Sequence, residues 1–341
     1  MSKVVLSGYY GFDNFGDEAI LQVLINNLKN IDADITVLSY NPKKTAQLHD
    51  VKTVFTFNIL KVIKSISSTD VLISGGGSLL QDVTSLRSLF YYLFIIFVSI
   101  LFCKRVIIFA QGIGPINHTF ARKCTINLLK KASLITVRDE RSKKLLNEWG
   151  LKSILVNDPV WGINIKTIRP KPKIGIQLRE WKYMSDEFFL NLVKKVAKEF
   201  DDKEICIYSL QDKQDKEICL RFENYLHMEN PKVKTHVYYS MSVSDFVNNM
   251  RSLEYLIAMR YHAIMIGLKY GIKTLAINYD PKVETLAKFA KIPCINFEEY
   301  DKIEEYIEQM EILSRRNILT QTDKKQFSFN IFAKEVNKYK S

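Results

Sequence analysis

Short apolar runs recur along the chain, each closed by glycine or polar residues and followed by a helical pattern. In the first half they are Val4–Ser7, Ile35–Ser39, Thr53–Phe57, Val71–Ser74, Val106–Ala110 and Leu134–Val137. In the second half they are Ile174–Leu178, Ile205–Ser209, Thr235–Tyr238, Leu253–Ala258 and Thr274–Asn278. A strand that is apolar at nearly every position is covered on both faces, which requires a parallel sheet with helices on either side. The stretch between the first two runs carries Ala19, Ile20, Val23, Leu24 and Leu28 at three-to-four spacing, predicting a helix over Asp17–Leu28.

The alternation breaks once, at NDPVWGINIKTIRPKPK (157–173), which has three prolines and no helical period and reads as a linker. With 341 residues and 47 % hydrophobic side chains, the chain can bury two cores without disulfides or metals. The expectation is α/β architecture with two Rossmann-like doubly wound domains, 1–165 and 172–315, facing across a cleft. A charged helical tail, 316–341, would pack back on the first domain. Ligands in such sheets bind at the C-terminal ends of the strands.

The 49 Lys and Arg against 37 Asp and Glu give a net charge of +12. The excess sits in the N-terminal half, and residues 104–152 alone hold eleven basic and three acidic side chains. Such a segment attracts phosphate, nucleic acid or an anionic membrane face. Beside it, Ser88–Cys103 is sixteen residues without a charge. As a helix it would be about 24 Å long, short of the roughly 30 Å hydrocarbon core. It reads either as a buried helix or as one touching a bilayer surface or a partner subunit. The five cysteines are scattered and unpaired in spacing, and no secretory leader is legible at the start, so the expected compartment is cytoplasmic.

The chemistry concentrates where runs end. After the first run, Gly8, Gly11 and Gly16 punctuate SGYYGFDNFGDEAIL, with Asp13 or Asn14 placed to cap the helix. Either the glycines admit an anion to backbone N–H groups, or they make a tight turn. The spacing is not that of a dinucleotide fingerprint, and Asp17 and Glu18 disfavour a tightly held phosphate there. Gly75, Gly76 and Gly77 follow the fourth run, and Gly112 and Gly114 follow the fifth, so three glycine-rich turns converge on one rim.

Arg138 closes the sixth run, either as an ion-paired surface residue or as a clamp for carboxylate or phosphate. In the second half, MRYHA brings Arg260 and His262 to the end of an apolar strand, and NYDPK brings Lys282 to the same rim one unit later. His262 suits acid–base work. No metal-ligand spacing, nucleophile elbow or Walker A loop is present. No helix-turn-helix, finger or RNA-recognition signature accompanies the charge, so nucleic acid is not an expected partner.

Taken in order, GYYGFDNFGDEAIL, SGGGSLLQD, AQGIGP, VRDERS, NDPVW, MRYHA and NYDPK resemble the polysaccharide pyruvyl transferase family, most of all its bacterial cell-wall, CsaB-like branch. The resemblance spans about residues 1–300. It implies a glycosyltransferase-B-like fold and transfer of a pyruvyl group from phosphoenolpyruvate, a co-substrate, with no cofactor and no metal. The product implied is a cyclic ketal on a sugar, typically 4,6-linked on N-acetylmannosamine of a lipid-diphosphate-linked cell-wall precursor that later anchors S-layer proteins.

Carried over by motif, Arg138, Arg260 and Lys282 would bind phosphoenolpyruvate on the C-terminal domain's side. His262 would be the acid–base group, and Asp13 or Asp17 the base nearest the acceptor hydroxyls. Gly8, Asn14, Gly75, Gly76, Gly77, Gly112 and Gly114 would hold acceptor or phosphate through backbone turns on the N-terminal side. The same fold also suits a nucleotide-sugar-dependent glycosyltransferase. Peripheral contact with the inner membrane face and self-association both stay open.

Overall fold

The computed structural model describes residues 1–338. The described residues form two compact units, 1–163 with 327–338, and 164–326.

The first unit carries strands β1 (Lys3–Ser7), β2 (Asp34–Ser39), β3 (Lys52–Phe55), β4 (Val71–Ser74), β5 (Gly77–Leu80), β6 (Arg105–Ile113), β7 (Leu134–Val137) and β8 (Ile154–Leu155). Its sheet is ordered β3-β2-β1-β4-β6-β7-β8, with β5 added beside β6, and every pairing is parallel. Six helices connect them: α1 (Phe15–Lys29), α2 (Pro42–His49), α3 (Ile59–Ser67), α4 (Leu86–Leu101), α5 (Thr119–Leu129) and α6 (Glu140–Glu148). Right-handed crossovers send α1 and α2 to one face as the chain builds toward β3, and α3 to α6 to the other as it builds toward β8. Val62 and Ile66 of α3, Leu89, Leu93 and Ile96 of α4, and Ala121 and Leu129 of α5 share one core with Leu72 and Ile108 of the sheet.

The second unit has strands β9 (Lys173–Gln177), β10 (Glu204–Tyr208), β11 (Lys234–Tyr238), β12 (Tyr255–Ala258), β13 (Lys273–Ile277) and β14 (Cys294–Ile295), ordered β11-β10-β9-β12-β13-β14 and all parallel. Its helices are α7 (Asp186–Glu199), α8 (Asp212–Glu229), α9 (Val243–Met250), α10 (Tyr261–Tyr270), α11 (Pro281–Ala290), α12 (Ile303–Glu311) and α13 (Arg315–Thr322). Phe188, Leu192 and Val196 of α7 close over Ile174, Ile176, Ile205 and Ile207 in its core.

The helical tail divides between the two units. The α13 segment stays with the second unit, where a Cβ on Gly271 would meet Arg315 and Leu319 at 2.7 and 2.9 Å. The last helix, α14 (Asn330–Asn337), belongs to the first unit. There Phe332 packs 4.4 Å from Phe109, and Glu335 pairs with Arg105 at 2.6 Å.

The proline-rich segment is likewise not all linker. Asp158 accepts from the Val160 amide at 3.0 Å and starts a 3-10 turn over Pro159–Gly162, in which Pro159, Val160 and Trp161 are buried. Alternating apolar and proline residues hid that turn, because its burial comes from α1 rather than from any local period.

Candidate active site

In each sheet the strand order reverses beside its first strand, at β1/β4 in one unit and β9/β12 in the other. Such a reversal opens a crevice at the strands' C-terminal ends.

In the second unit, β9 and β12 run in register with Gln177 opposite Ala258. Three residues past Tyr255–Ala258 the chain turns into α10, and its N-cap, Arg260, gives the helix no side-chain cap. The Arg260 amide instead donates to Gln177 Oε1 at 2.7 Å. Its guanidinium donates from Nε and Nη2 to the two carboxylate oxygens of Asp215 at 2.7 and 2.6 Å. Asp215, fully buried in α8, also accepts from the amides of Leu210 and Gln211 at 3.0 Å each. One buried carboxylate thus answers much of the Arg260 charge and fixes its plane.

A residue the sequence reading did not weigh supplies the charge that is not answered. Arg179 lies two residues past the end of β9, donates from Nη2 to Gln214 Oε1 at 2.7 Å, and makes no ion pair among the described residues. Gln214 Oε1 also accepts from Arg260 Nη2 at 3.3 Å, so one amide oxygen ties the two guanidiniums together. Arg179 lies 5.0 Å from the Trp181 ring centre and 5.2 Å from that of Tyr279, and its Nε is buried without a hydrogen-bond partner. A buried, unpartnered donor calls for an explanation, and a bound anion supplies one. The signal was a lone arginine ending the first strand of the second series, in KIGIQLREW.

Lys282 stands in the first turn of α11, its Nζ 5.8 Å from the same Tyr279 ring and 3.8 Å from Asp280. His262 is the second residue of α10, its ring edge-on to Tyr261 at 5.3 Å. Arg260, His262, Arg179 and Lys282 are thus brought to one edge of the second sheet.

The placement opposes a local rule. Cations at the N-termini of α10 and α11 face the positive ends of two helix dipoles, an arrangement unfavourable by itself. A ligand of several negative charges relieves it, because the helix ends and the cations then act in the same direction.

In the first unit the glycine turns also converge, but chiefly on the chain's own side chains. The fully buried Tyr10 ring lies across Gly8 and Gly75, where an added Cβ would come within 2.4 Å of Tyr10 Cζ and 1.8 Å of its hydroxyl. Gly76 makes room for Ile20, Gly77 for Asp17, Gly112 for Ser78 and Gly114 for Leu145. Gly112 sits within β6, which runs on through Ile113, rather than in a turn after it. The buried Gln111 fastens the rim by donating from Nε2 to Ser74 Oγ and to the Gly75 carbonyl, each at 2.8 Å. Asn14 is the helix cap and accepts from the Gly16 amide at 3.1 Å. At these glycines the close approach is made by the chain's own side chains.

Asp13 adopts φ +59° and pairs with Lys44 at 2.6 Å, both partly exposed. Arg138 donates to the buried Asp158 at 2.7 Å, which leaves it no more open a clamp than Arg260.

Glu18, in the first turn of α1, is a carboxyl of this edge whose titration is strongly displaced. Its Oε1 accepts from the Gly11 amide at 2.7 Å. Burial, reinforced by Asp17 and Asp13 and opposed by the Gly11 amide and Lys44, raises its pKa to about 7. The folded protein therefore holds this proton longer than the unfolded chain does. The stability so gained is full below the ordinary glutamate value and is lost as pH rises through about 7. Glu18→Gln, which keeps an acceptor for Gly11, should leave Tm unchanged near pH 4 and raise it by about 2–4 °C at pH 8.5. Equal shifts at both pH values, read by calorimetry, would contradict the assignment.

Fold and site together define a two-unit Rossmann-like α/β protein of glycosyltransferase-B type with a cationic strand-end site. Solved structures similar to it include a UDP-N-acetylglucosamine 2-epimerase, so described provisionally, from Listeria monocytogenes (TM-score 0.65, 11 % identity, covering 98 % of this chain and 94 % of that one). Anabaena HepE in complex with UDP and glucose aligns at TM-score 0.62 and 9 % identity over 99 % of both chains. The Neisseria meningitidis UDP-GlcNAc 2-epimerase bound to UDP-GlcNAc aligns at TM-score 0.60 and 10 % identity, over 98 % and 100 %. At such identities these show the fold alone.

Among curated proteins none matches the chain in sequence. The polysaccharide pyruvyl transferase family model matches residues 14–281, and the chain belongs to that family.

Proposed function

We propose that the protein transfers the pyruvyl group of phosphoenolpyruvate onto two hydroxyls of one sugar, as a 4,6-ketal on N-acetylmannosamine of a lipid-diphosphate-linked cell-wall precursor, and releases phosphate. The observation that carries the reading is the arc of Arg179, Arg260 and Lys282 with His262, at one edge of the second unit. A donor carrying both a carboxylate and a phosphate matches several cations at two helix N-termini better than a neutral sugar does.

In the proposed reaction the first hydroxyl adds to C2 of the donor as C3 takes a proton and becomes a methyl group. Phosphate then leaves C2 with its bonding pair. The second hydroxyl closes the ring and gives up its proton, which ends on phosphate. His262 moves the proton at C3 or at the first hydroxyl. Arg179, Arg260 and Lys282 hold the departing charge, and Arg138, oriented by Asp158, is a further cation assigned to donor binding by its motif. Glu18, with Asp13 and Asp17 as the alternatives read from sequence, takes a hydroxyl proton on the acceptor side.

His262→Ala should lower turnover about 10²–10⁴-fold with the fold intact by circular dichroism; near-normal turnover would remove the acid–base role. Phosphate released from phosphoenolpyruvate only when the saccharide acceptor is present supports the reading. A nucleoside diphosphate released from a nucleotide sugar instead would establish the glycosyltransferase alternative.

A further inference from the structure

One helical layer of the first unit combines two features that a surface exposed only to water rarely shows together. The first is an apolar outer face. Leu60 of α3 is 82 % exposed, Phe97 and Leu101 of α4 are 51 % and 65 % exposed, and Phe120 of α5 is 62 % exposed. Ring contacts tie the turn before α3 to α4, Phe57 to Tyr91 at 5.8 Å, and α4 to α5, Phe90 to Phe120 at 6.3 Å, so the exposed groups stand on three adjoining helices. Contiguous exposed apolar surface of this kind marks an interaction site.

The second feature is charge of one sign. No Asp or Glu occurs anywhere from Val83 to Arg138, and α3 contains none either. Lys61 and Lys64 of α3, Arg87 of α4, and Arg122 and Lys123 of α5 are exposed, and none makes an ion pair among the described residues. Asp82, just before the acid-free stretch, accepts from the amides of Asn117 and His118 at 2.7 Å each. Glu140 and Glu148 of α6 mark where the patch ends.

We infer that the outer face of α3, α4 and α5 docks flat on a bilayer containing anionic lipid, with Leu60, Phe97, Leu101 and Phe120 entering the interface and the unpaired cations on the headgroups. Charge selects this occupant. Pairing the patch with its own copy would set two acid-free cationic layers face to face, which is costly, whereas an anionic leaflet complements both features at once. The α4 helix has sixteen residues, and no helix among the described residues is long and apolar enough to cross a membrane, so the layer lies on the surface.

The inference deepens the proposed lipid-linked acceptor and rests on that reading for its purpose. Its test needs neither donor nor acceptor, so the two can fail separately. The full chain is floated with vesicles of phosphatidylcholine alone and of phosphatidylcholine with phosphatidylglycerol. Expected are binding to the anionic vesicles, a steep loss with salt, and about fivefold weaker binding for each of Lys61→Ser, Lys64→Ser and Lys123→Ser. Phe97→Ser/Leu101→Ser/Phe120→Ser should abolish flotation, with Tm retained because all three positions are exposed.

Absence of flotation at low salt would overturn the proposal. So would flotation unaffected by these substitutions, or a dimer in sedimentation that the triple variant dissociates while wild type ignores vesicles.

Discussion

Arg179→Met is expected to lower kcat/KM for phosphoenolpyruvate by about 10²–10³ while leaving Tm within a degree or two of wild type. The expectation separates Arg179 from the other cations of the edge. Arg260 and Arg138 are each held by a buried aspartate, Asp215 and Asp158. Arg179 is held only by an amide oxygen and two aromatic rings, so its charge is available to a ligand. Arg179→Lys should recover only part of the loss, because an ammonium lacks the planar fork that meets a carboxylate or phosphate at two points. Steady-state kinetics across donor concentrations would show this, and a kcat/KM for Arg179→Met within threefold of wild type would remove Arg179 from the donor site.

Asp215→Ala is expected to have the largest effect on stability. Asp215 is fully buried and receives the Arg260 guanidinium together with two backbone amides. Its removal leaves a nearly buried guanidinium uncompensated and two amides without an acceptor, which together cost about 3–5 kcal/mol. For a unit of this size that is a fall in Tm of roughly 10 °C. The double variant Asp215→Leu/Arg260→Met removes both charges and should recover most of that Tm, yet remain inactive. Calorimetry and turnover on the same samples distinguish the outcomes. A double variant as unstable as the single would show that the pair does not set the stability, and an active double variant would show that Arg260 does not serve the donor.

The strands were legible because burial on both faces leaves a continuous apolar run, as in Val71–Ser74 and Tyr255–Ala258, all of whose residues are buried. Short strands that owe their place to neighbours were not. Gly77–Leu80 pairs with β6 only because β6 extends through Gln111 to Ile113, a fact of register rather than of composition. The motif turns could be located from sequence, but their glycines could not be explained from it, since Tyr10, Ile20 and Leu145 reach them only through tertiary packing.

Arg260, His262 and Lys282 stood out because MRYHA and NYDPK put cations where a strand ends in apolar surroundings. Arg179 did not, since one arginine after a strand looks like ordinary surface charge until its burial against Trp181 and Tyr279 is known. Glu18 was hidden for the same reason. A first-turn acid is an ordinary helix start, and only its enclosure beside Asp13 and Asp17 raises its pKa to about 7.

The central claim is pyruvyl transfer to a lipid-linked sugar, and mass spectrometry of one incubation tests it most directly. The protein is mixed with phosphoenolpyruvate and a synthetic lipid-diphosphate disaccharide containing N-acetylmannosamine. A product heavier by one pyruvyl ketal, formed by wild type and lost in His262→Ala and Arg179→Met, is the predicted result. An unchanged acceptor after prolonged incubation with folded wild-type protein, or one extended by a sugar when a nucleotide sugar is supplied instead, would contradict it.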